Sequence, residues 1–279
     1  MARSASLLCA SVWLYVLIAL AGYHGTARAS QAAELQLRPA FDQRSMSVRY
    51  PWRGHLERGL RLPESGLVRH VDEYIEHERF FGTWQLVQLV TRGAARVSEL
   101  LPGARLSVGE LSAEHGGLIV GHHSHRNGRD IDISFYLVDE TGQPAIAPTF
   151  VNMNRHGTGW YAGQKLRFDD ARNWALISKL IDDDDARVQY IFVARALQWR
   201  LVEHARKIGA PDWLIARARA AMVEPTSGNR HESHFHVRIY CPSEDRPQCQ
   251  DKPPYYPWYD GVPPGGEYAA ATLGIPLAP

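Results

Sequence analysis

Two stretches of this chain concentrate side chains that could do chemistry. "GHHSHRNGRDIDISFYL" (121–137) places His122, His123 and His125 within four positions, and Asp130 and Asp132 follow. "RHESHFHVRIYC" (230–241) holds His231, His234 and His236. The chain has 13 histidines in all, so nearly half are spent in two short places. Imidazole at its ordinary pKa is the side chain best suited to move protons near neutral pH, and it is the commonest metal ligand. Two imidazoles and one carboxylate make up many catalytic zinc sites, with the fourth position left to water.

These residues need rigid elements to hold them. "DIDISFYL" alternates as a strand, with Ile131, Ile133, Phe135 and Leu137 on one face and Asp130, Asp132 and Ser134 on the other. "HFHVRIY" alternates too. It sends His234, His236 and Arg238 to one side and Phe235 and Val237 toward a core. His125 and Asp132 are separated by a segment containing Gly128, which permits a tight turn. An isolated H-x-H is weak evidence, because surface pairs of this kind are common. Its weight comes from the second cluster.

The rest of the chain supplies the frame. "GTWQLVQLVTRGAARVSELLPG" repeats Leu86, Val90, Val97 and Leu101 at helical spacing, with Thr83 as N-cap and Pro102-Gly103 as a stop. "DDARNWALISKLI" is a helix opened by Asp169 or Asp170, "LQWRLVEHARKIG" one closed by Gly209, and "PDWLIARARAAMV" one with Pro211 at its first turn. "ARLSVGEL" and "VQYIFVA" read as strands. Residues 50–66 read as a loop-rich entry and 141–168 as an insertion or long loop. "DDDD" (182–185) lacks the glycine and closing glutamate of a calcium loop and reads as solvated. Helices and short strands mix without steady β-α-β alternation. This predicts an α+β fold with a small antiparallel central sheet carrying the site, flanked by helices.

Composition bounds the class. The chain has 279 residues, 45% apolar and 22% charged, with a formal charge of +1. Its basic residues are scattered, which argues against a nucleic-acid partner. Arg3, an apolar run from Leu7 to Gly22 and the "ARA" of Ala27–Ala29 form the layout of a secretory signal peptide. The run of about 16 residues is shorter than the ~20 of a spanning helix. Removal of residues 1–29 discards Cys9 and leaves Cys241 and Cys249, which in an exported protein most simply form a disulfide. That leaves the cysteines unavailable as structural zinc ligands and favours an open, catalytic site.

Taken together, "H-S-H-x-x-G-x-D-x-D" and the downstream "H-x-x-H-x-H-V-R-x-x-C-P" resemble the penicillin-insensitive murein endopeptidases. This family is related to D-Ala-D-Ala dipeptidases and lysostaphin-type zinc enzymes. The resemblance covers residues 54–250 and includes "FDDARNWALISKLI", "VQYIFVA" and the spaced cysteines. It implies Zn2+ held by His125, Asp132 and His236, with His234 and His231 as acid–base and oxyanion-stabilising histidines, His234 being the expected base. His122 would bind a second metal ion or hydrogen-bond at the rim, and Asp130 would orient a ligand or cap the turn. The expected reaction is hydrolysis of D-Ala–diamino acid cross-links in peptidoglycan, in the periplasm. The rivals are a D-Ala-D-Ala carboxypeptidase or dipeptidase on the same scaffold, and a zinc-stabilised wall-binding protein without turnover. The expected organisation is signal peptide 1–29, linker 30–49, zinc peptidase domain 50–250 and a Pro/Gly-rich tail 251–279. No stable membrane insertion is expected after signal cleavage, and nothing in the sequence speaks to oligomeric state. One departure stands out: the asparagine of the family near 56–59 has no counterpart in "HLERG".

Overall fold

The computed structural model describes residues 43–226 and 228–259. The expected signal peptide, most of the linker and the end of the tail lie outside them. Strands β1 (Met46–Tyr50) and β2 (Arg53–Glu57) form an antiparallel hairpin. It starts inside the stretch read as linker and replaces the loop-rich entry. Strands β3 (Leu60–Arg61), β4 (Val68–His70) and β5 (Phe81–Gly82) lead to helix α1 (Trp84–Leu100). The Thr83 side chain accepts the N–H of Leu86 and caps this helix as predicted.

Strands β6 (Leu106–Val108) and β7 (Asp130–Ser134) bracket the first histidine cluster. Then come β8 (Leu137–Val138), β9 (Pro144–Ala145), β10 (Thr158–Tyr161) and β11 (Gln164–Phe168). The segment expected to be a long loop thus contributes three strands to a second, all-antiparallel sheet of order β10-β11-β8-β9. Its strands of two to five residues are too short to show alternation, and the local hairpins β8–β9 and β10–β11 are joined into one sheet only by the longer-range β11–β8 pairing.

Helix α2 (Asp170–Ile181) is capped by Asp169, whose side chain accepts the N–H of Arg172. Strand β12 (Val188–Phe192), helices α3 (Arg195–Lys207) and α4 (Asp212–Ala221), and strands β13 (Met222–Val223) and β14 (His234–Ile239) complete the described fold. The main sheet has order β13-β12-β14-β7-β6-β4. It is antiparallel at its centre and gains a parallel pair at each edge. The α+β class expected from the sequence is therefore what the chain adopts.

One face of β7 and β14 sends Ile131, Ile133, Phe235 and Val237 into a single core shared with Leu176, Leu180 and Leu201 of the helices. The helices pack tightly: a Cβ at Gly93 of α1 would lie 2.9 Å from Leu176 Cδ1 of α2. Asp183 in the tetra-aspartate run departs from the solvated reading. It is buried and accepts two 2.7 Å hydrogen bonds from Arg92, tying the end of α2 to α1. No helix among the described residues is long and apolar enough to cross a membrane.

Residues after β14 are stitched back to the sheet. Cys241 and Cys249 form the expected disulfide. Arg129, wholly buried, donates to Asp251 at 2.6 Å and to the carbonyls of Ile239 and Gln250. Tyr256 is buried and donates its hydroxyl proton to Ala220 O. The first part of the tail is therefore packed on the domain.

Candidate metal centre

The opposite face of β7 and β14 is polar yet buried. The register sets His236 across from Asp132, Arg238 across from Asp130 and His234 across from Ser134. Asp130 and Asp132 are each under 5% exposed. Two carboxylates in such a place need compensation, because burial penalises the charged form.

His125 reaches this face from the turn before β7. Its backbone is left-handed (φ 64°), and its N–H donates to Asp130 Oδ2 at 3.3 Å. Gly128 closes the turn at φ 77°, where an added Cβ would lie 2.7 Å from Leu56 Cδ1. The expectation that glycine is needed there is met.

The hydrogen bonds select which imidazole atom is free. His125 Nδ1 donates to Leu111 O at 2.7 Å, which leaves Nε2 as a lone-pair donor. His236 Nε2 donates to Asp130 Oδ1 at 2.9 Å, which leaves Nδ1. These two free nitrogens are 3.4 Å apart. They lie 3.4 Å (His125) and 3.2 Å (His236) from Asp132 Oδ1. Zinc bonds of 2.0–2.1 Å at tetrahedral angles require ligand atoms about 3.3 Å apart. Asp132 Oδ1 is buried without an aligned hydrogen-bond donor. A buried carboxylate oxygen in that condition fits a cation. The three side chains named from the sequence are therefore brought together at ligand spacing, and the donor set suits a divalent metal such as zinc.

His122 is adjacent. Together with His125 and Asp132 it offers a group of potential ligand atoms within 4.8 Å of one another. This group is looser than the His125–Asp132–His236 triangle. The His122 Nε2–H donates to Glu110 Oε2 at 2.6 Å, which is the rim hydrogen bond expected as one of its two roles. His123 is exposed.

Electrostatics follow from the geometry. Burial alone would raise the Asp132 pKa, but the imidazoles of His125 and His234 hold it well below the usual carboxylate range. The same opposition, with Arg238 as the main counter-charge, lowers Asp130. His236 is buried, which would lower its pKa, yet its hydrogen bond to Asp130 and the nearby Asp132 carboxylate raise it. His234 is pushed down to about 4 by burial, and the other imidazoles add to this. His231 falls to about 3 for the same reasons. Both rings are therefore neutral at pH 7 and able to accept a proton.

His234 Nε2 lies 3.5 Å from Asp132 Oδ1, and its Nδ1 meets Ser233 Oγ at 3.0 Å. Its ring stacks on Phe150 with centroids 4.5 Å apart. His231 stands in left-handed backbone (φ 56°), its centroid 4.9 Å from that of His234, and its buried Nδ1 has no partner. His122, Asp132, His231, His234, His236 and Phe150 line one cleft of about 760 Å³, walled also by Trp52, Tyr74 and Phe192, while His125 and Asp130 are enclosed behind it.

Two residues around the site were not legible in the sequence. Phe150 belongs to the segment read as loop. Glu110, which holds His77, Arg79 and His122 together, stands in the run "SVGEL", away in sequence from the three side chains it binds. Its one available signal was an acid in an otherwise apolar strand-like stretch.

An α+β domain whose sheet centre presents buried imidazoles and carboxylates to an open cleft has the layout of a metallohydrolase. The comparisons place it more closely. Residues 50–263 match the family model described as penicillin-insensitive murein endopeptidase, and the chain belongs to that family. It is similar to the penicillin-insensitive murein endopeptidase of Shigella sonnei, with 30% identity over 207 residues, 73% of this chain and 66% of the relative. The protein of that name from Escherichia coli is 30% identical over 201 residues, 71% of this chain and 64% of the relative. The match thus spans just under two thirds of the length of these relatives.

Proposed function

We propose that the chain is a zinc-dependent murein endopeptidase that hydrolyses peptide cross-links of peptidoglycan after export to the periplasm. The observation that carries the reading is the triangle of His125 Nε2, His236 Nδ1 and Asp132 Oδ1, with edges of 3.2–3.4 Å around an oxygen that lacks a hydrogen-bond donor. Family membership supports the substrate class.

In this reading His125, Asp132 and His236 hold zinc, which when bound supplies a Lewis acid and makes hydroxide available near neutral pH. His234, neutral and open to the cleft, takes the proton as water attacks the scissile carbonyl and returns it to the leaving amine. His231 faces the same space and, as a neutral imidazole, can donate its ring N–H to the developing oxyanion. Asp130 orients the His236 ring. Phe150 and Tyr74 limit the water around His234. The bond cut joins D-alanine to a diamino acid. The domain doing this is the 50–250 segment, together with the paired β1 strand and residues 251–259 that pack on it.

The test is digestion of purified sacculi by the mature chain, with and without chelator, beside His234→Ala. The expected result is loss of cross-linked muropeptide dimers, blocked by both treatments. Consumption of pentapeptide monomers with dimers intact would instead indicate a carboxypeptidase. Metal binding without any turnover would reduce the chain to a wall-binding protein.

A further inference from the structure

Beside the catalytic cleft the β1–β2 hairpin and the turn carrying His125 enclose a second concavity of about 520 Å³. Its wall includes Arg49, Arg53 and Arg126, with Leu118 at its rim. Several arginines elsewhere in the domain are committed: Arg92, Arg129, Arg172 and Arg200 each bond a carboxylate. Among the described residues, none of these three guanidinium groups faces an acidic partner within ion-pair distance. Arg126 Nε is buried without a hydrogen-bond acceptor. Glu57 on the same hairpin is taken up by His55 and Arg58 at 3.5 Å each.

The placement of Arg49 is over-determined. It has left-handed backbone (φ 59°), a conformation unusual for arginine. Three hydrogen bonds pin it there. Its N–H donates to Gln248 O at 2.7 Å, and its carbonyl accepts from Gln250 N and Asn127 Nδ2 at 3.1 Å each. The backbone is thus held firmly in place while the side chain keeps no intramolecular partner among the described residues.

The concavity adjoins the chemistry through the backbone. Trp52 lines the catalytic cleft and Arg53 is the next residue; His125 is the candidate ligand and Arg126 follows it. The Arg126 N–H donates to Pro51 O at 3.1 Å, locking the two segments together. The concavity therefore lies one residue along the backbone from the catalytic cleft's wall at Trp52 and from the candidate ligand at His125.

We propose that Arg49, Arg53 and Arg126 form a carboxylate-binding site that takes the acidic peptide stem continuing from the bond in the catalytic cleft. Stems built with diaminopimelate carry free carboxylates, and planar guanidinium groups bind carboxylates with two parallel N–H donors. This rests on the murein reading for the identity of the peptide but not for the chemistry of the site.

The experiment uses the full mature chain and two probes: a free stem tetrapeptide and the same peptide with its carboxylates amidated. Binding is measured by calorimetry, and dimer hydrolysis is followed separately. Arg53→Gln and Arg126→Gln are each expected to weaken binding of the acidic tetrapeptide about tenfold, since a charge-assisted bond is lost. Amidation should weaken binding to the unmodified chain similarly, and Arg206→Gln, a charge change on α3, should not. Unaltered affinity in the two arginine variants, or equal affinity for the amidated peptide, would overturn the site. Binding that is instead matched by inorganic phosphate would do the same. If dimers are not hydrolysed while the tetrapeptide still binds through these arginines, the proposed function fails and the acidic-peptide site stands.

Discussion

Asp130 Oδ1 accepts hydrogen bonds from both His236 Nε2 at 2.9 Å and Arg238 Nε at 2.6 Å, while Oδ2 takes the backbone N–H of His125. One buried carboxylate thus orients one candidate ligand ring and anchors the turn that carries another. Outer partners of this kind set ligand tautomer and orientation. Asp130→Asn is expected to lower zinc affinity about 10–100-fold. Competitive titration with a chromophoric chelator measures it, with circular dichroism confirming the fold.

The turn itself gives a second prediction. Gly128→Ala places a Cβ 2.7 Å from Leu56 Cδ1 and 3.1 Å from Thr83 N at φ 77°. Gly121 has φ 89° but open space around it. Gly128→Ala should destabilise by about 1–3 kcal/mol and weaken metal binding, and Gly121→Ala should cost less. Urea unfolding of the two variants tests the order.

Arg129 and Asp251 form a wholly buried pair that joins the post-β14 segment to the sheet. Removing one member leaves the other charge uncompensated. Asp251→Asn should cost about 3–5 kcal/mol in equilibrium unfolding. Replacing both residues with apolar ones of similar volume should recover much of that loss.

Asp245 predicts a pH dependence away from the cleft. Burial pushes its carboxyl up from 3.8 to about 7, against the favourable N–H of Ser47 at 2.8 Å. A folded-state pKa above the unfolded value means that the folded chain binds the proton more tightly. The stability this confers is complete below pH 3.8 and is lost as pH rises through about 7. Asp245→Asn keeps an acceptor for Ser47 and removes the titration. Its melting temperature should exceed that of the unsubstituted chain at pH 8, by a few degrees, roughly, and the gap should narrow at pH 5. Differential scanning calorimetry at both values decides it.

The side-chain period of two placed Asp130 with Asp132, and His234 with His236 and Arg238, because alternation is a local property of an extended chain. Helix caps at Thr83 and Asp169 were equally local and could be read directly. The grouping of the two histidine clusters came from their motifs. Only the tertiary structure decided that β7 and β14 pair antiparallel with His236 opposite Asp132, since register depends on hydrogen bonds between segments about a hundred residues apart. The same holds for the sheet formed by residues 137–168 and for the Phe150 ring it lays on His234. Strands so short carry no periodic signal, and their two hairpins become one sheet only through the pairing of residues 137–138 with 167–168. The sequence by itself determined which side chains could hold a metal and on which strand face they stand. Folding determined which lone pairs are free, because Leu111 O and Asp130 each take one imidazole N–H and leave the other nitrogen facing Asp132.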